Sequence, residues 1–412
     1  MDDLVCRIDD CDPLPRLRPA SAAELGDLVR RAAAEKQAVY PVGGGTMLGV
    51  GLPPARPGWA VDLRSLNQVV DYPARDMTIT VQAGIPIAEL QRVLAAEKQR
   101  LPVDVPHADQ ATLGGAMAVN VSGPRRYGFG TLRDYVLGVS TINDEGQEVK
   151  AGGRVVKNVA GYDLCKLHIG ALGTLGIIVQ VTLKVRPIPE TQTLLTFGCD
   201  AAALGPLLDR LHESRTRPVC LDVLNAAAAR SIGLPEAPWA VAVGCEDGFE
   251  AVVWQVRQLM HELPAAAVRG LDIRAGGASL PLWQALVEAT DPPDARLSFK
   301  ANLLPGAVAS FCLRAAELAD EVRLIAHAGS GIVRGCVFGD LTLGRVQDML
   351  KGLHETAAAA QGNVILPRCP VEWKRSLPVW GRPRGDAWLM REVKAKLDPN
   401  NLFNPGRFLG GI

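Results

Sequence analysis

Three glycine-rich stretches stand in fixed order within the first 180 residues: Pro-Val-Gly-Gly-Gly-Thr at 41–46, Ala-Thr-Leu-Gly-Gly at 111–115, and Gly-Tyr-Asp at 161–163 running on to Leu-Gly-Thr-Leu-Gly-Ile-Ile at 172–178. Each borders an apolar, β-prone run, so each reads as a turn in which main chain approaches something closely. Without a Cβ, successive N–H groups can converge on one concavity, and such nests attract anions, pyrophosphate in particular. A single loop of this kind is as readily an ordinary strand–turn cluster. Three in sequence point to a chain wrapped around a long, phosphate-bearing molecule.

Familiar nucleotide motifs do not explain these glycines. A G-x-G-x-x-G fingerprint needs a third glycine, and Gly43-Gly44-Gly45-Thr46-Met47-Leu48 carries leucine there. No Gly-Lys-Ser/Thr triplet follows any cluster, which removes a Walker loop. The 44 basic and 44 acidic side chains balance, so nucleic acid, which demands a basic face, is not an expected partner. A chain of 412 residues, 48% of them hydrophobic, can bury the cores of two domains. No apolar run has the length of a membrane span and the acidic start lacks a signal-peptide pattern, so membrane contact is expected only through a partner. The nine cysteines are scattered with no C-x-x-C. Zinc and iron–sulfur ligation are therefore not expected, and reduced, buried thiols in a cytoplasmic protein are. Any redox group here must then pass its electrons to a carrier on another chain.

Local patterns alternate between helix and strand. Ser21-Ala-Ala-Glu24 is a capping box, followed at helical spacing by Leu25, Leu28, Val29 and Ala32. Residues 39–42 form a short apolar strand that delivers the chain to the first glycine loop. Residues 77–81 alternate around Thr78 and Thr80, and Pro86 opens a helix with Ile87, Leu90 and Leu94 on one face. Odd positions from Ile177 to Val185 are apolar while Gln180, Thr182 and Lys184 point away, which predicts a half-buried strand. Pro187-Ile-Pro189 ends that region, since two prolines cannot continue a central strand. Beyond it come alanine-rich helical segments, strands at 239–244 and 333–338, a Pro/Gly/Arg-rich loop at 374–385, and a helix at 386–397.

The succession of Pro-x-Gly-Gly-Gly-Thr, Val61-Asp62-Leu63 with Ile79-Thr-Val-Gln-Ala-Gly84, and Thr112-Leu-Gly-Gly-Ala-Met-Ala-Val-Asn120 resembles the PCMH-type FAD-binding domain of the vanillyl-alcohol-oxidase-like flavoproteins. Val155-Val-Lys-Asn-Val-Ala-Gly-Tyr-Asp-Leu-Cys-Lys-Leu167 is more similar still to one branch, the FAD-binding subunits of glycolate oxidase (glycolate dehydrogenase). The likeness covers about residues 15–190 and returns in Leu397-Asp-Pro-Asn-Asn-Leu-Phe-Asn-Pro-Gly-Arg407. It implies an α+β chain: a two-subdomain FAD-binding domain at 1–190, an α+β cap for substrate or partner at 191–385, and a C-terminal segment at 386–412 that packs back on the FAD domain.

The resemblance also implies roles. Pro41, Val42, Gly43, Gly44, Gly45, Thr46 and Met47 would cradle the pyrophosphate. Thr112, Leu113, Gly114 and Gly115, with Asn120, Ser122 and Gly123, would form a second wall. Gly161, Tyr162 and Asp163 would line the far side, and Gly173, Gly176, Ile177 and Ile178 would offer main chain to the adenine. Relatives that attach FAD covalently often place histidine where Thr46 stands, so noncovalent FAD is expected.

Oxidising a 2-hydroxy acid needs a cation for the carboxylate, a base for the hydroxyl proton and a hydride acceptor. Catalytic relatives carry Gly-His-x-Gly-Asp-Gly-Asn-x-His, whose histidines help to hold a divalent metal. The corresponding stretch here is Ala326-His327-Ala-Gly-Ser330-Gly-Ile332-Val-Arg334, and a later Glu-His-Gly segment is missing. No metal is therefore expected. Arg334 could clamp a carboxylate or pair with an acidic neighbour, and His327 could be the base or a hydrogen-bonded core histidine. Arg125-Arg126-Tyr127 could approach a flavin or form a solvated turn. The resemblance further implies a multi-subunit assembly that oxidises glycolate to glyoxylate, with a larger FAD-linked oxidase subunit and an iron–sulfur subunit. Such an assembly would be cytoplasmic, or peripheral on the inner membrane through its partners. A self-sufficient D-2-hydroxy-acid dehydrogenase and a flavin-free scaffold remain as alternatives.

Overall fold

The computed structural model describes residues 4–9, 11–154, 162–319, 321–382 and 385–412. The chain forms two compact units, one of Met1–Val121, Thr131–Ile188 and Pro383–Ile412, the other of Ser122–Gly130 and Pro189–Arg382. The excursion Ser122–Gly130 thus groups with the second unit although it lies in the middle of the first in sequence.

The first unit holds two principal sheets. In one, strands Leu14–Leu17, Gly58–Asp62 and Ala38–Val42 run parallel in that order, with Val5–Cys6 antiparallel at the edge. Helix Ala22–Ala34 makes the crossover that parallel strands require. Its N-cap is the one the sequence announces: Ser21 Oγ accepts the Glu24 N–H at 3.1 Å, and the Glu24 carboxylate accepts the Ala20 N–H at 2.7 Å. The other sheet is antiparallel, in the order Val69–Asp71, Thr78–Gln82, Ile177–Lys184, Val136–Ile142, Glu148–Gly152.

Apolar residues from both sheets and the helix share one core: Leu25, Val29, Val39, Val61, Ile142, Ile177 and Val179, closed by Leu402 and Phe403 from the C-terminal segment. That segment is keyed in by buried polar groups. Asp398 accepts the amides of Leu402 and Phe403 at 2.8 Å each and the Lys394 ammonium at 2.5 Å. Lys394 also donates to the carbonyls of Thr174 and Phe403, at 2.8 and 2.9 Å.

Strand Ile177–Lys184 is buried more fully than its alternation suggests. It is the central strand of its sheet and is covered on the second face by helix Leu113–Val119. Thr182, read as outward-facing, is buried and shares a 2.9 Å hydroxyl hydrogen bond with Thr80.

The second unit is built on one eight-stranded sheet, antiparallel throughout, in the order Arg269–Ala275, Thr191–Cys199, Trp239–Asp247, Cys220–Asn225, Val322–His327, Ile332–Val337, Leu297–Asn302, Asn363–Arg368. On one face its core gathers Leu194, Leu224, Ala242 and Ile325 around Trp283. The guanidinium of Arg125 lies 4.0 Å above the Trp283 ring and donates to the Glu246 carboxylate at 2.7 Å. Arg125 is thus a tether that fixes the excursion Ser122–Gly130 to its own unit. No helix among the described residues is long and apolar enough to cross a membrane. Eight of the nine cysteines are buried, none forms a disulfide, and Cys11 is half-buried.

Candidate functional site

In the first unit the glycine-rich stretches meet along one groove. Its larger section, about 710 Å³, is lined by Pro41, Gly43, Gly44, Gly45, Thr46 and Met47 on one side and by Thr112, Gly115, Ala116 and Val119 on another. A continuation of about 410 Å³ shares Pro41, Gly43, Thr112 and Gly115 with it and extends along Gly114, Gly173, Gly176, Ile177 and Ile178.

Two physical reasons make glycine obligatory here. The first glycine loop lies directly against residues 110–112: a Cβ on Gly44 would fall 1.7 Å from the Gln110 carbonyl oxygen. Gly45, with φ +78°, turns the loop through the left-handed region. The loop then presents a run of main-chain donors. Among the described residues the amides of Gly44, Gly45, Thr46 and Met47 donate to no protein acceptor. Buried or lining amides without partners are rare, so this run calls for a ligand rich in acceptors.

The opposite wall starts at Thr112, which caps helix Leu113–Val119 by accepting the Gly115 amide at 3.3 Å. The helix ends at Asn120, in the left-handed conformation at φ 57°, with its buried Oδ1 unpartnered. Asn120 stands between Val119 and Val121, which border the groove, but is not itself among the lining residues.

Several lining residues were not singled out from the sequence. Leu48, Val50, Leu172, Asn404 and Arg407 also border the larger section. Arg407 is buried and donates through Nη2 to the carbonyls of Leu48 and Val50, both at 2.6 Å, which pins the chain just after the glycine loop. Burial pushes its pKa down. Asn404 donates to the Leu172 carbonyl at 2.5 Å, and the amide of Val39 donates to the Leu402 carbonyl at 2.8 Å. The signal was present in the Asn-Pro-Gly-Arg sequence at 404–407, which reads as a terminal signature rather than as part of a site.

Other expected site residues lie elsewhere. Val42 and Leu113 are buried and are not among the residues that line the groove. Tyr162 is 94% exposed and Asp163 pairs with Lys166 at 3.1 Å, so neither lines the groove; Gly161 lies outside the described residues. Ser122 and Gly123 belong to the second unit.

The second unit carries a polar cluster on one face of its sheet. Register places Asp222 opposite His327, and His327 opposite Ile332. The adjacent row runs Leu224, Ile325, Arg334, Lys300, so His327 and Arg334 are diagonal neighbours on the same face. His327 Nδ1 lies 2.9 Å from Asp222 Oδ1, with both side chains buried. The outer atoms of this pair, His327 Nε2 and Asp222 Oδ2, are buried without partners.

Among the described residues Arg334 enters no ion pair or hydrogen bond, and its Nε is buried and unpartnered. Burial lowers its pKa. Beside it, burial pushes the Lys300 ammonium down to about 7, with the like charges of Arg334 and Arg126 adding to the effect. Two half-buried cations side by side, unpaired, form a receptor for an anion. Lys300 was not anticipated; only its strand alternation with Ser298 and Asn302 puts it on this face. Among the described residues no cluster of three or more His, Cys, Asp or Glu is arranged to hold a metal ion.

Comparison with known proteins adds to these geometries. Residues 13–152 match the family model described as FAD binding domain. Glycolate oxidase subunit GlcD of Bacillus subtilis (strain 168) is 26% identical over 421 residues, spanning 95% of this chain and 88% of that protein. Glycolate oxidase subunit GlcE of Escherichia coli (strain K12) is 38% identical over 139 residues, 34% of this chain and 40% of that one. The crystal structure of p-cresol methylhydroxylase with substrate bound superposes with a TM-score of 0.73 at 15% identity, over 95% of this chain and 88% of that one, a likeness of fold. Residues 13–152 are therefore an FAD-binding domain, set in a chain that shares the fold of p-cresol methylhydroxylase and is similar over nearly its whole length to a glycolate oxidase subunit.

Proposed function

We propose that this chain is the FAD-binding subunit of a multi-subunit glycolate oxidase, acting on a small 2-hydroxy acid. The observation that carries the reading is the run of unpartnered amides from Gly44 to Met47 along the groove of the FAD-binding domain. Full-length similarity to a glycolate oxidase subunit supports the substrate class. FAD, when bound, supplies the two-electron acceptor for the hydride on the substrate carbon. Gly43 to Met47 hold its pyrophosphate through backbone donors, Gly114 and Gly115 let the second wall approach, and Asn120 accepts through Oδ1. Gly173, Gly176, Ile177 and Ile178 border the far section of the groove and offer main chain to the adenine. Thr46 has no nucleophilic ring nitrogen, so attachment is noncovalent.

In the second unit Arg334 and Lys300 bind the carboxylate, and His327 receives the hydroxyl proton. Similarity to two glycolate oxidase subunits supports an assembly with a larger FAD-linked subunit. The scattered cysteines, with no C-x-x-C, support a reading in which the next electron carrier, an iron–sulfur protein, is another chain.

One observation favours a second reading, a self-sufficient D-2-hydroxy-acid dehydrogenase. The match to the Bacillus subtilis subunit covers both units, and the second unit retains an unpaired cation pair and a histidine–aspartate pair. The test is a visible spectrum of the purified chain followed by anaerobic glycolate. Bleaching of the flavin bands by the isolated chain supports the second reading. Bleaching only after partner subunits are added supports the first. A chain that neither carries nor rebinds FAD sinks both.

A further inference from the structure

Strand Arg269–Ala275 is one edge of the eight-stranded sheet in the second unit. It pairs with Thr191–Cys199 on its inner side and, among the described residues, with no strand on its outer side. Every residue along it is exposed or half-buried. Such an edge turns a row of main-chain N–H and C=O groups to solvent, and natural sheets guard edges of this kind with proline, lysine or a covering loop. This strand contains neither proline nor lysine, and its apolar Leu271 and Ile273 are 38% and 39% exposed.

The strand has a midpoint. Its pairing with the inner strand shifts register between Arg269 and Asp272, where Gly270 adopts φ +58°, and at the other end Gly276 turns away at φ +55°. Between the two glycines runs Leu-Asp-Ile-Arg-Ala at 271–275, centred on Ile273. Register sets Asp272 opposite Thr196 and Arg274 opposite Leu194, on one face, and Ile273 opposite Leu195 on the other. Within the strand the Arg274 Nε donates to the Asp272 carboxylate at 2.8 Å.

This sequence is complementary to itself in one register. Two copies of a strand that pair antiparallel about a two-fold axis normal to the sheet must centre on a residue, because directly opposed side chains share a face. Centred on Asp272, the pairing opposes two carboxylates; centred on Arg274, two guanidiniums. Centred on Leu271, it faces Asp272 with Gly270 and makes no charge pair. Centred on Ile273, it sets Asp272 across from Arg274 of the second copy and repeats that pair on the other side of the axis. Ile273 then packs on its own copy and Leu271 faces Ala275. Opposite charges directly across antiparallel strands stabilise the pair and like charges oppose it.

We propose that this edge is a homodimer interface, in which residues 271–275 of two copies of this chain pair antiparallel about a two-fold axis through Ile273. The sheet of one copy then continues into the sheet of the other, and each Asp272 lies between its own Arg274 and that of the second copy. The charge pattern selects a second copy over a foreign strand, since this register needs no other sequence to satisfy it.

The experiment follows the full chain by sedimentation velocity over a wide concentration range. The parent should show a monomer–dimer equilibrium. Asp272→Arg and Arg274→Asp each set like charges across the axis twice, and each should weaken the dimer about tenfold or more. Mixed in equal amounts, the two variants should associate with each other at close to parental strength, because every arginine of one then faces an aspartate of the other. The double variant D272R/R274D should dimerise alone. It also keeps an oppositely charged pair within the strand, so its recovery separates a lost interface from a damaged fold.

A parent that stays monomeric throughout leaves the edge to a partner of different chemistry and overturns the proposal. A parental dimer that neither single variant weakens forms through another surface and overturns it equally. Weakening by both single variants, restored neither in the mixture nor in the double variant, overturns the register about Ile273 and the proposal with it.

Discussion

Replacing Gly44 by alanine tests whether the glycine loop is a ligand cradle or only a tight turn. The added Cβ would lie 1.7 Å from the Gln110 carbonyl oxygen and 2.5 Å from its carbon, both main-chain atoms that cannot rotate aside. Ordinary contact begins at 3.4 Å, so the two loops must separate by nearly the whole difference. A displacement of that order carries a hydrogen bond near 2.9 Å out of range. Two charge-assisted bonds lost at ~1.5–3 kcal/mol each correspond to a weakening of FAD binding by about 10²- to 10⁴-fold, at ~1.4 kcal/mol per decade. Overpacking should cost the apo chain ~1–3 kcal/mol as well.

Gly45→Ala is the matched control. Its Cβ meets only Leu48 Cδ1, at 3.8 Å, but the residue sits at φ +78°, which penalises any side chain by ~1–2 kcal/mol. It should lose comparable stability yet keep FAD affinity within about tenfold. The assay pairs titration of FAD fluorescence with urea unfolding of the apo protein. Equal loss of affinity in both variants, or none in G44A, would refute the cradle.

Four further outcomes are expected. Asp398→Ala strips the Lys394 ammonium and two amides of their buried acceptor and should cost ~3–5 kcal/mol in urea unfolding, well beyond an exposed carboxylate. Arg407→Leu frees the carbonyls of Leu48 and Val50 and should weaken FAD binding by about tenfold or more, read by the same fluorescence titration. The pKa of Lys300 lies below its unfolded value, so between its folded value of about 7 and the onset of thiol ionisation the unfolded state binds more protons. Stability of the parent should therefore rise with pH across about 7–8.5 relative to Lys300→Met, and a flat difference in denaturation midpoints would count against a desolvated lysine. Acid precipitation should release all flavin into the supernatant; flavin remaining on the polypeptide would contradict noncovalent binding.

Much of the first unit was legible because local chemistry and tertiary demand coincide there. Ser21 and Glu24 announce the helix they cap, and the glycines announce turns whose close approach to residues 110–112 excludes any Cβ. The part that a linear reading misses is what the chain brings back from a distance. Asn404 and Arg407 stand in a recognisable terminal signature, but that signature does not say that they border the groove, since their partners, Leu172, Leu48 and Val50, stand more than 200 residues earlier. Lys300 and Asp222 were invisible for a related reason. Neither strand carries a motif that singles these residues out, and only the register of an eight-stranded sheet puts Lys300 beside Arg334 and Asp222 across from His327. Thr182 shows the opposite error: alternation marks it outward, but a central strand covered on both faces has no outward side.

The return of the C-terminal segment has a consequence for synthesis. The bridge from Val39 to Phe403, the Asp398 caps and the Arg407 clamp on the glycine loop all come from residues synthesised after the whole of the second unit. While the second unit is being made, the groove lacks the elements that hold its first loop in place. FAD loading should therefore follow synthesis of residues 398–407. A nascent chain stalled near residue 380 should fail to retain flavin, while one extended by a linker so that residue 412 clears the exit tunnel should retain it.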